Sequence, residues 1–157
     1  CFIPHKRVVD VTRIDYVKLK SQGIRAVVFD KDNTLTAPHA DNYYPGIEDS
    51  MRDCINEGPE CAIFSNTAGS AADTEFKNAR DIERILGMPV IHHKHQKPAG
   101  FDDVMSHFPG MNPSDIAIIG DRYCTDVLFG NLNGFFTIKT EPLTTKGENF
   151  AIKMVRN

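Results

Sequence analysis

Two aspartates close a short apolar run in Ala26-Val27-Val28-Phe29-Asp30-Lys31-Asp32-Asn33-Thr34-Leu35-Thr36. A β-branched apolar segment of this length reads as a buried strand, and carboxylates placed where it stops are presented together at a sheet end. Three more such runs also stop in polar residues. Cys61-Ala62-Ile63-Phe64 stops in Ser65-Asn66-Thr67, whose first hydroxyl can donate to a phosphate oxygen, with backbone N–H groups of the turn adding to it. Pro89-Val90-Ile91 leads into His92-His93-Lys94-His95-Gln96-Lys97-Pro98, where Pro98 holds Lys97 extended so that its ammonium can be aimed. Ile116-Ala117-Ile118-Ile119 stops in Gly120-Asp121-Arg122-Tyr123-Cys124-Thr125-Asp126, which adds two carboxylates behind a glycine that leaves room for close backbone approach. Each stretch has a plainer reading by itself. Asp-x-Asp-x-Thr can be an ordinary turn with Asn33 in a left-handed conformation, Ser-Asn-Thr a helix cap, and Lys97 a surface lysine. Taken together they are harder to dismiss, because strand ends of a parallel sheet share one edge and ligands bind in the crevice outside it.

The elements that position these groups alternate regularly. Residues 1 to 13 give only an extended lead-in. Asp15 can cap a helix from about Tyr16 to Gln22 that Gly23 closes, and strand one follows at residues 25 to 30. Residues 37 to 46, too rich in Pro and Asn for regular structure, read as a mobile flap beside the site, with His39 placed to reach a substrate or to stay idle. Apolar positions 47, 51 and 55 predict a helix over Ile47 to Asn56, stopped by Gly58-Pro59. Strand 61–64, a helix from about Ala71 to Leu86, strand 89–91, a helix over Ala99 to His107, strand 116–120, a helix to Asn133 and strand 135–139 complete the series. The spacing between Asp30, Ser65 and Lys97 is filled by these elements and leaves no room for a cap domain.

Other reactive residues carry less. His92, His93 and His95 lie along an extended segment, where neighbouring side chains point to opposite faces and do not converge on one zinc ion. Cys1, Cys54, Cys61 and Cys124 show no metal-ligand spacing and read as reduced thiols, with Cys124 a small packing residue.

At 157 residues, 41% hydrophobic and 25% charged, the chain has the composition of a soluble protein with one core, and we read residues 1–157 as a single domain. No apolar run reaches the roughly 18 residues that a membrane-spanning helix needs. The chain opens at Cys1 without a signal-peptide pattern, so a targeting segment is expected to lie outside it. The net charge of -3 conceals an asymmetry: six basic residues stand against two acidic ones up to residue 25, and the rest carries -7. Such a basic end is either a solvated face or a contact for an anionic surface.

The ordered set Asp30 with Asp32, Ser65, Lys97, and Asp121 with Asp126 resembles the four motifs of the haloacid dehalogenase superfamily of phosphatases, over about residues 26 to 140. That resemblance implies a Rossmann-like three-layer α/β sandwich around a mainly parallel five-stranded sheet, with residues 26–140 as catalytic core and 1–24 as lead-in. It implies Asp30 as the nucleophile that forms an aspartyl-phosphate and Asp32 as the general acid/base. Ser65 would bind the transferring phosphoryl group and Lys97 would neutralise charge. Mg²⁺ would be held by Asp30, Asp121 and the Asp32 carbonyl, with Asp126 supporting the site from beside or behind the metal. The physics is consistent: a carboxylate and a phosphate ester repel each other, so attack needs a cation between them, and hard oxygen ligands suit magnesium.

Within the superfamily, Phe29 to Pro38 is most telling, together with Ser65-Asn66-Thr67-Ala68-Gly69, Lys97-Pro98-Ala99-Gly100, Gly120-Asp121-Arg122 through Thr125-Asp126, and Thr140-Glu141-Pro142-Leu143. The wording is similar to that of the mitochondrial and plastid phosphatidylglycerophosphate phosphatases, with Asn33 in place of the superfamily's usual Gly and a final helix that looks cut short at Asn157. The resemblance implies a peripheral enzyme of phosphatidylglycerol and cardiolipin synthesis. It would act on a phospholipid at an anionic membrane, on the matrix side of the mitochondrial inner membrane or in a plastid, with no nucleic-acid partner. Asn66 then joins Ser65 in the substrate-binding set, and Lys94, His95 and Arg122 are expected to form a basic rim for the substrate's second phosphate. Two alternatives stay open: a phosphatase of soluble sugar or nucleotide phosphates, and a non-catalytic binding module.

Overall fold

The computed structural model describes residues 2–66, 68–70, 73 and 77–144. Five strands, β1 (Lys6–Arg7), β2 (Ala26–Phe29), β3 (Glu60–Ile63), β4 (Ile116–Gly120) and β5 (Phe136–Lys139), form one sheet in the order β1-β5-β4-β2-β3. All four pairings are parallel. The helices are α1 (Tyr16–Ser21), α2 (Glu48–Glu57), α3 (Lys77–Leu86), α4 (Phe101–His107) and α5 (Leu128–Leu132).

The two-residue period of the strands sorts the core into two halves. Val27, Phe29, Ile63, Ala117 and Ile119 face one way, against Tyr16 and Leu19 of α1, Met51 and Cys54 of α2, and Ile82 and Leu86 of α3. Ala26, Val28, Ala62, Ile116 and Ile118 face the other way, against Val104 and Phe108 beside α4 and Phe129 of α5. Helices on both faces of a parallel sheet make three layers. The central strands β2 and β4 are buried at every position, which is why they read as unbroken apolar runs.

The expected strand count holds, but one member differs. The lead-in contributes β1, which pairs with β5 at the sheet's edge, followed by a short 3-10 turn at Val11–Arg13. A two-residue strand has no readable period, and its partner lies some 130 positions away. Pro89-Val90-Ile91, expected to be a strand, makes only a single parallel bridge between Val90 and Ile63. Asp15 does cap α1, its carboxylate accepting the Lys18 N–H at 3.0 Å. The start of the helix expected from Ala71 and the end of the chain near Asn157 lie outside the described residues. Cys124, expected to pack, is exposed, while Cys54 and Cys61 lie with their sulfurs 3.2 Å apart.

Positive charges of the first 25 residues lie at both ends of the strands. Because β1 runs parallel to the other strands, Lys6 and Arg7 sit near the edge where β2 and β4 end. Arg25, immediately before β2, sits at the opposite edge and pairs with Asp115 at 3.8 Å.

Candidate active site

The strand register brings the polar groups together. Phe29 pairs with both Ile63 and Ile119, so the residues that follow, Asp30, Phe64-Ser65 and Gly120-Asp121, emerge side by side at one edge. They open onto a cleft of about 210 Å³ whose lining includes Asp30, Asp32, Ser65, Asn66, Lys97 and Arg122.

Lys97 is the centre of charge. Its side chain is 3% exposed, and its ammonium lies 3.0 Å from Asp30 Oδ1 and 2.5 Å from Asp126 Oδ1. The Phe64 ring stands 5.6 Å below it. The backbone N–H of Lys97 donates to Asn66 Oδ1 at 2.9 Å, so Asn66 clasps the segment that carries the lysine while also lining the cleft. Burial alone would lower the Lys97 proton affinity, but the Asp126 and Asp30 carboxylates more than offset that and raise it.

Asp126 lies buried behind Lys97, on the π-helical turn at Tyr123–Val127 that precedes α5. Its second oxygen accepts the Arg122 N–H at 3.2 Å. A Cβ at Gly120 would overlap this carboxylate, which explains the glycine at the end of β4. Carboxylate oxygens of Asp30, Asp121 and Asp126 all lie within 4.8 Å of one another. Burial pushes the Asp30 carboxyl up to about 7, against the pull of Lys97 and with further upward pressure from Asp126 and Asp121. Asp121 is also raised, by burial first and then by Asp126. Three carboxylates facing one ammonium leave excess negative charge, and an all-oxygen donor set fits a small hard divalent cation.

Asp32 sits on the turn after β2, 28% exposed in its side chain. Its Oδ1 accepts from Lys31 Nζ at 3.0 Å and from the His39 backbone N–H at 3.2 Å. Asn33 takes the left-handed conformation expected of it, with φ of 63°, and its Oδ1 accepts the Thr144 N–H at 3.1 Å. The Thr140-Glu141-Pro142-Leu143 stretch thus runs back to the turn after β2, where the Leu143 N–H donates to Asn33 O. Flap residues are fastened too, through Tyr44 N–H to Leu35 O at 2.8 Å and Tyr43 O–H to Leu86 O at 2.5 Å.

Two expected rim residues lie elsewhere. Lys94 and His95 border a separate hollow of about 580 Å³ with Phe101, Asp102 and Asp103, and only Arg122 of the three lines the cleft. Lys97 is drawn inward by the clasp to Asn66, while Lys94 lies outside it and its backbone N–H meets Asp103 at 3.4 Å. Two groups beside the site carry no clear signal in the sequence. Lys31 is 4% exposed although it sits in a polar turn. His93 is buried, its ring bridging Ser65 O at 2.5 Å and His95 O at 2.8 Å, which holds the two loops together. Ile91 and His93 are buried while His92 and Lys94 are exposed, so the two-residue period of an extended segment running on from Ile91 is the signal that could have separated His93 from its neighbours.

Comparison with known proteins places the chain in a family. The phosphatidylglycerophosphate phosphatase 1 of Arabidopsis thaliana, named chloroplastic/mitochondrial, is 41% identical over 98% of this chain and 45% of its own length. The chloroplastic enzyme of the same name from Chlamydomonas reinhardtii is 38% identical over 98% of this chain and 58% of its own. The chain thus spans about half the length of these relatives. The crystal structure of a possible sugar phosphatase of the HAD superfamily from Cytophaga hutchinsonii shares the fold, with a TM-score of 0.51 at 13% identity, covering 89% of this chain and 95% of that one. The family model described as mitochondrial PGP phosphatase matches residues 1–144, and the chain belongs to that family.

Proposed function

We propose that this chain is the catalytic unit of a phosphatidylglycerophosphate phosphatase, removing the terminal phosphate to leave phosphatidylglycerol. The observation that carries the reading is the buried Lys97 ammonium held between Asp30 and Asp126, on a cleft shared with Asp32 and Ser65. Such a site neutralises a carboxylate and a phosphate together, which a mere turn or binding surface has no need to do.

In the first half-reaction an Asp30 oxygen attacks phosphorus, the bond from phosphorus to the glycerol oxygen breaks, and Asp32 gives that oxygen its proton. In the second, Asp32 takes a proton from water as the water oxygen attacks phosphorus, and the Asp30–phosphorus bond breaks to release inorganic phosphate. Lys97 offsets charge on Asp30 and on the transferring group throughout, and Ser65 with the backbone after β3 binds phosphoryl oxygens. Mg²⁺ suits the cluster of Asp30, Asp121 and Asp126 with the Asp32 carbonyl, and when bound it supplies the second cation that brings an anionic nucleophile to an anionic ester. Arg122 is the cleft residue placed to meet the substrate's internal phosphodiester; Lys94 and His95 face another hollow.

The lipid substrate places the protein at a membrane surface. No helix among the described residues is long and apolar enough to cross one. Lys6 and Arg7 lie at the sheet edge that carries the cleft, with Arg7 5.8 Å over the ring of Tyr123, next to Arg122, and this basic border would hold the cleft against an anionic bilayer. The organellar names of the relatives support action in a mitochondrion or plastid, with the inner mitochondrial membrane's matrix side as the working location. Release of inorganic phosphate from short-chain phosphatidylglycerophosphate, with Mg²⁺ and with EDTA, tests the function. The proposal expects Mg²⁺-dependent release well above that from sugar or nucleotide phosphates; preference for the soluble esters would overturn it.

A further inference from the structure

Lys31 lies between the two aspartates of the β2 turn, and nothing in the mechanism above uses it. A lysine in a polar loop would ordinarily reach water, yet this side chain is 5% exposed. Its ammonium meets three acceptors: Asp32 Oδ1 at 3.0 Å, Thr36 Oγ1 at 3.3 Å and the carbonyl of Ala40 at 2.6 Å. Three donors on the ammonium therefore find three acceptors, which satisfies the group and accounts for its burial. One of those acceptors belongs to the turn, one to its far side and one to the flap, so a single side chain fastens the flap to the acid/base.

The contact treats the two oxygens of Asp32 unequally. Oδ1 accepts both Lys31 Nζ and the His39 N–H, while Oδ2 makes no hydrogen bond among the described residues. The His39 N–H is available there because His39 takes a left-handed backbone conformation, with φ of 63°, next to the Ala40 carbonyl that Lys31 holds. With Oδ1 already accepting two N–H donors, Oδ2 is the oxygen left to exchange a proton with the substrate or with water.

We propose that Lys31 is a positioning residue for catalysis: by pinning Asp32 Oδ1 and the flap it presents Oδ2–H to the leaving oxygen of the substrate. The proton moves from Oδ2 to the glycerol oxygen as the bond from phosphorus to that oxygen breaks, and Oδ2 later takes a proton from the attacking water. The inference rests on the phosphatase reading and adds to it a division of labour within Asp32.

A leaving group that needs no proton separates this role from a structural one. The experiment measures kcat/KM, which reports steps through loss of the leaving group, for short-chain phosphatidylglycerophosphate and for p-nitrophenyl phosphate. With Lys31→Met we expect a loss of about 100-fold on the alkyl ester, the low end of what general acid catalysis supplies, and a much smaller loss on the aryl ester. The loss should vanish when Asp32 is already Asn: K31M/D32N should match D32N on both substrates. Equal losses on the two esters, including complete loss through misfolding, or a further loss of the same size in the D32N background, would overturn the inference. Wild type inactive on both esters would instead overturn the phosphatase reading itself.

Discussion

Lys97 and Lys31 are both nearly lost to solvent, with side chains 3% and 5% exposed, and both meet carboxylates at 3.0 Å, yet the regions around them are built differently. Lys97 joins partners from separate strand ends, since Asp30 follows β2 and Asp126 follows β4, and both partner side chains are themselves little exposed, at 14% and 2%. Lys31 gathers partners from within nine residues, and its carboxylate partner stays 28% exposed. The first region is a charge cluster that only the assembled sheet holds together; the second is a local fastening of a loop. Removing a lysine therefore has different consequences in the two places. Without Lys97 two buried carboxylates lose their counter-charge, whereas without Lys31 water can reach Asp32.

The largest effect should come from the carboxylate at the centre of the cluster. Asp30→Asn should lower turnover by about 10⁴-fold or more, the scale of losing a covalent nucleophile, and phosphate release by the purified variant measures it. Turnover within about tenfold of wild type would remove Asp30 from the mechanism. Next, Lys97→Met should lower activity by about 10³-fold. It should also destabilise the fold by about 3 kcal/mol, the cost of stranding a buried charge, or about 10 °C in Tm. Lys31→Met should cost less than half as much in thermal melts, because its partner rehydrates. Equal melting shifts for the two variants would erase the distinction between the regions.

The cluster should also show itself through pH and metal. Because the folded state holds the Asp30 proton up to about 7, against the usual carboxylate value of 3.8, its contribution to stability is fully present below the lower value and is lost as pH rises through the upper one. Metal-free protein should therefore melt lower at pH 8 than at pH 5.5 through this group. Mg²⁺ at 100 times its Kd should add about 2.7 kcal/mol, roughly 5–10 °C, and the gain should shrink at pH 5.5, where protons compete for the carboxylates. A melting gain independent of pH would argue that the ion binds elsewhere.

The smallest effect concerns the basic border. Lys6→Ala and Arg7→Ala should each weaken binding to anionic vesicles by about 1 kcal/mol at low salt, roughly fivefold, and added salt should abolish the difference because the Debye length shrinks. Arg25→Ala, at the opposite edge, should change vesicle binding far less. Co-sedimentation that ranks all three alike would mean that the membrane does not face the cleft.

Much of the site is legible in the amino-acid sequence because its signals are local. Apolar runs at β2, β3 and β4 that stop in Asp30, Ser65 and Asp121 need only the pattern of neighbouring residues, and parallel topology then puts their ends on one edge. Asp15 as a cap and Asn33 in a left-handed turn follow from side-chain chemistry within three residues. Tertiary structure alone decided the rest. β1 exists only because β5 is there to pair with it, and its two residues carry no pattern of their own. Whether a lysine is aimed or idle is equally unreadable: Lys97 and Lys94 stand three positions apart, and the clasp from Asn66, thirty-one residues away, draws only Lys97 inward. Burial of Lys31 depends on where the flap folds back, since its ammonium becomes tolerable inside the protein only when the Ala40 carbonyl arrives beside it. Local pattern thus determined which groups reach the edge, and long-range packing decided which of them are desolvated and paired, because the cost of burying a charge is set by partners the neighbouring sequence does not contain.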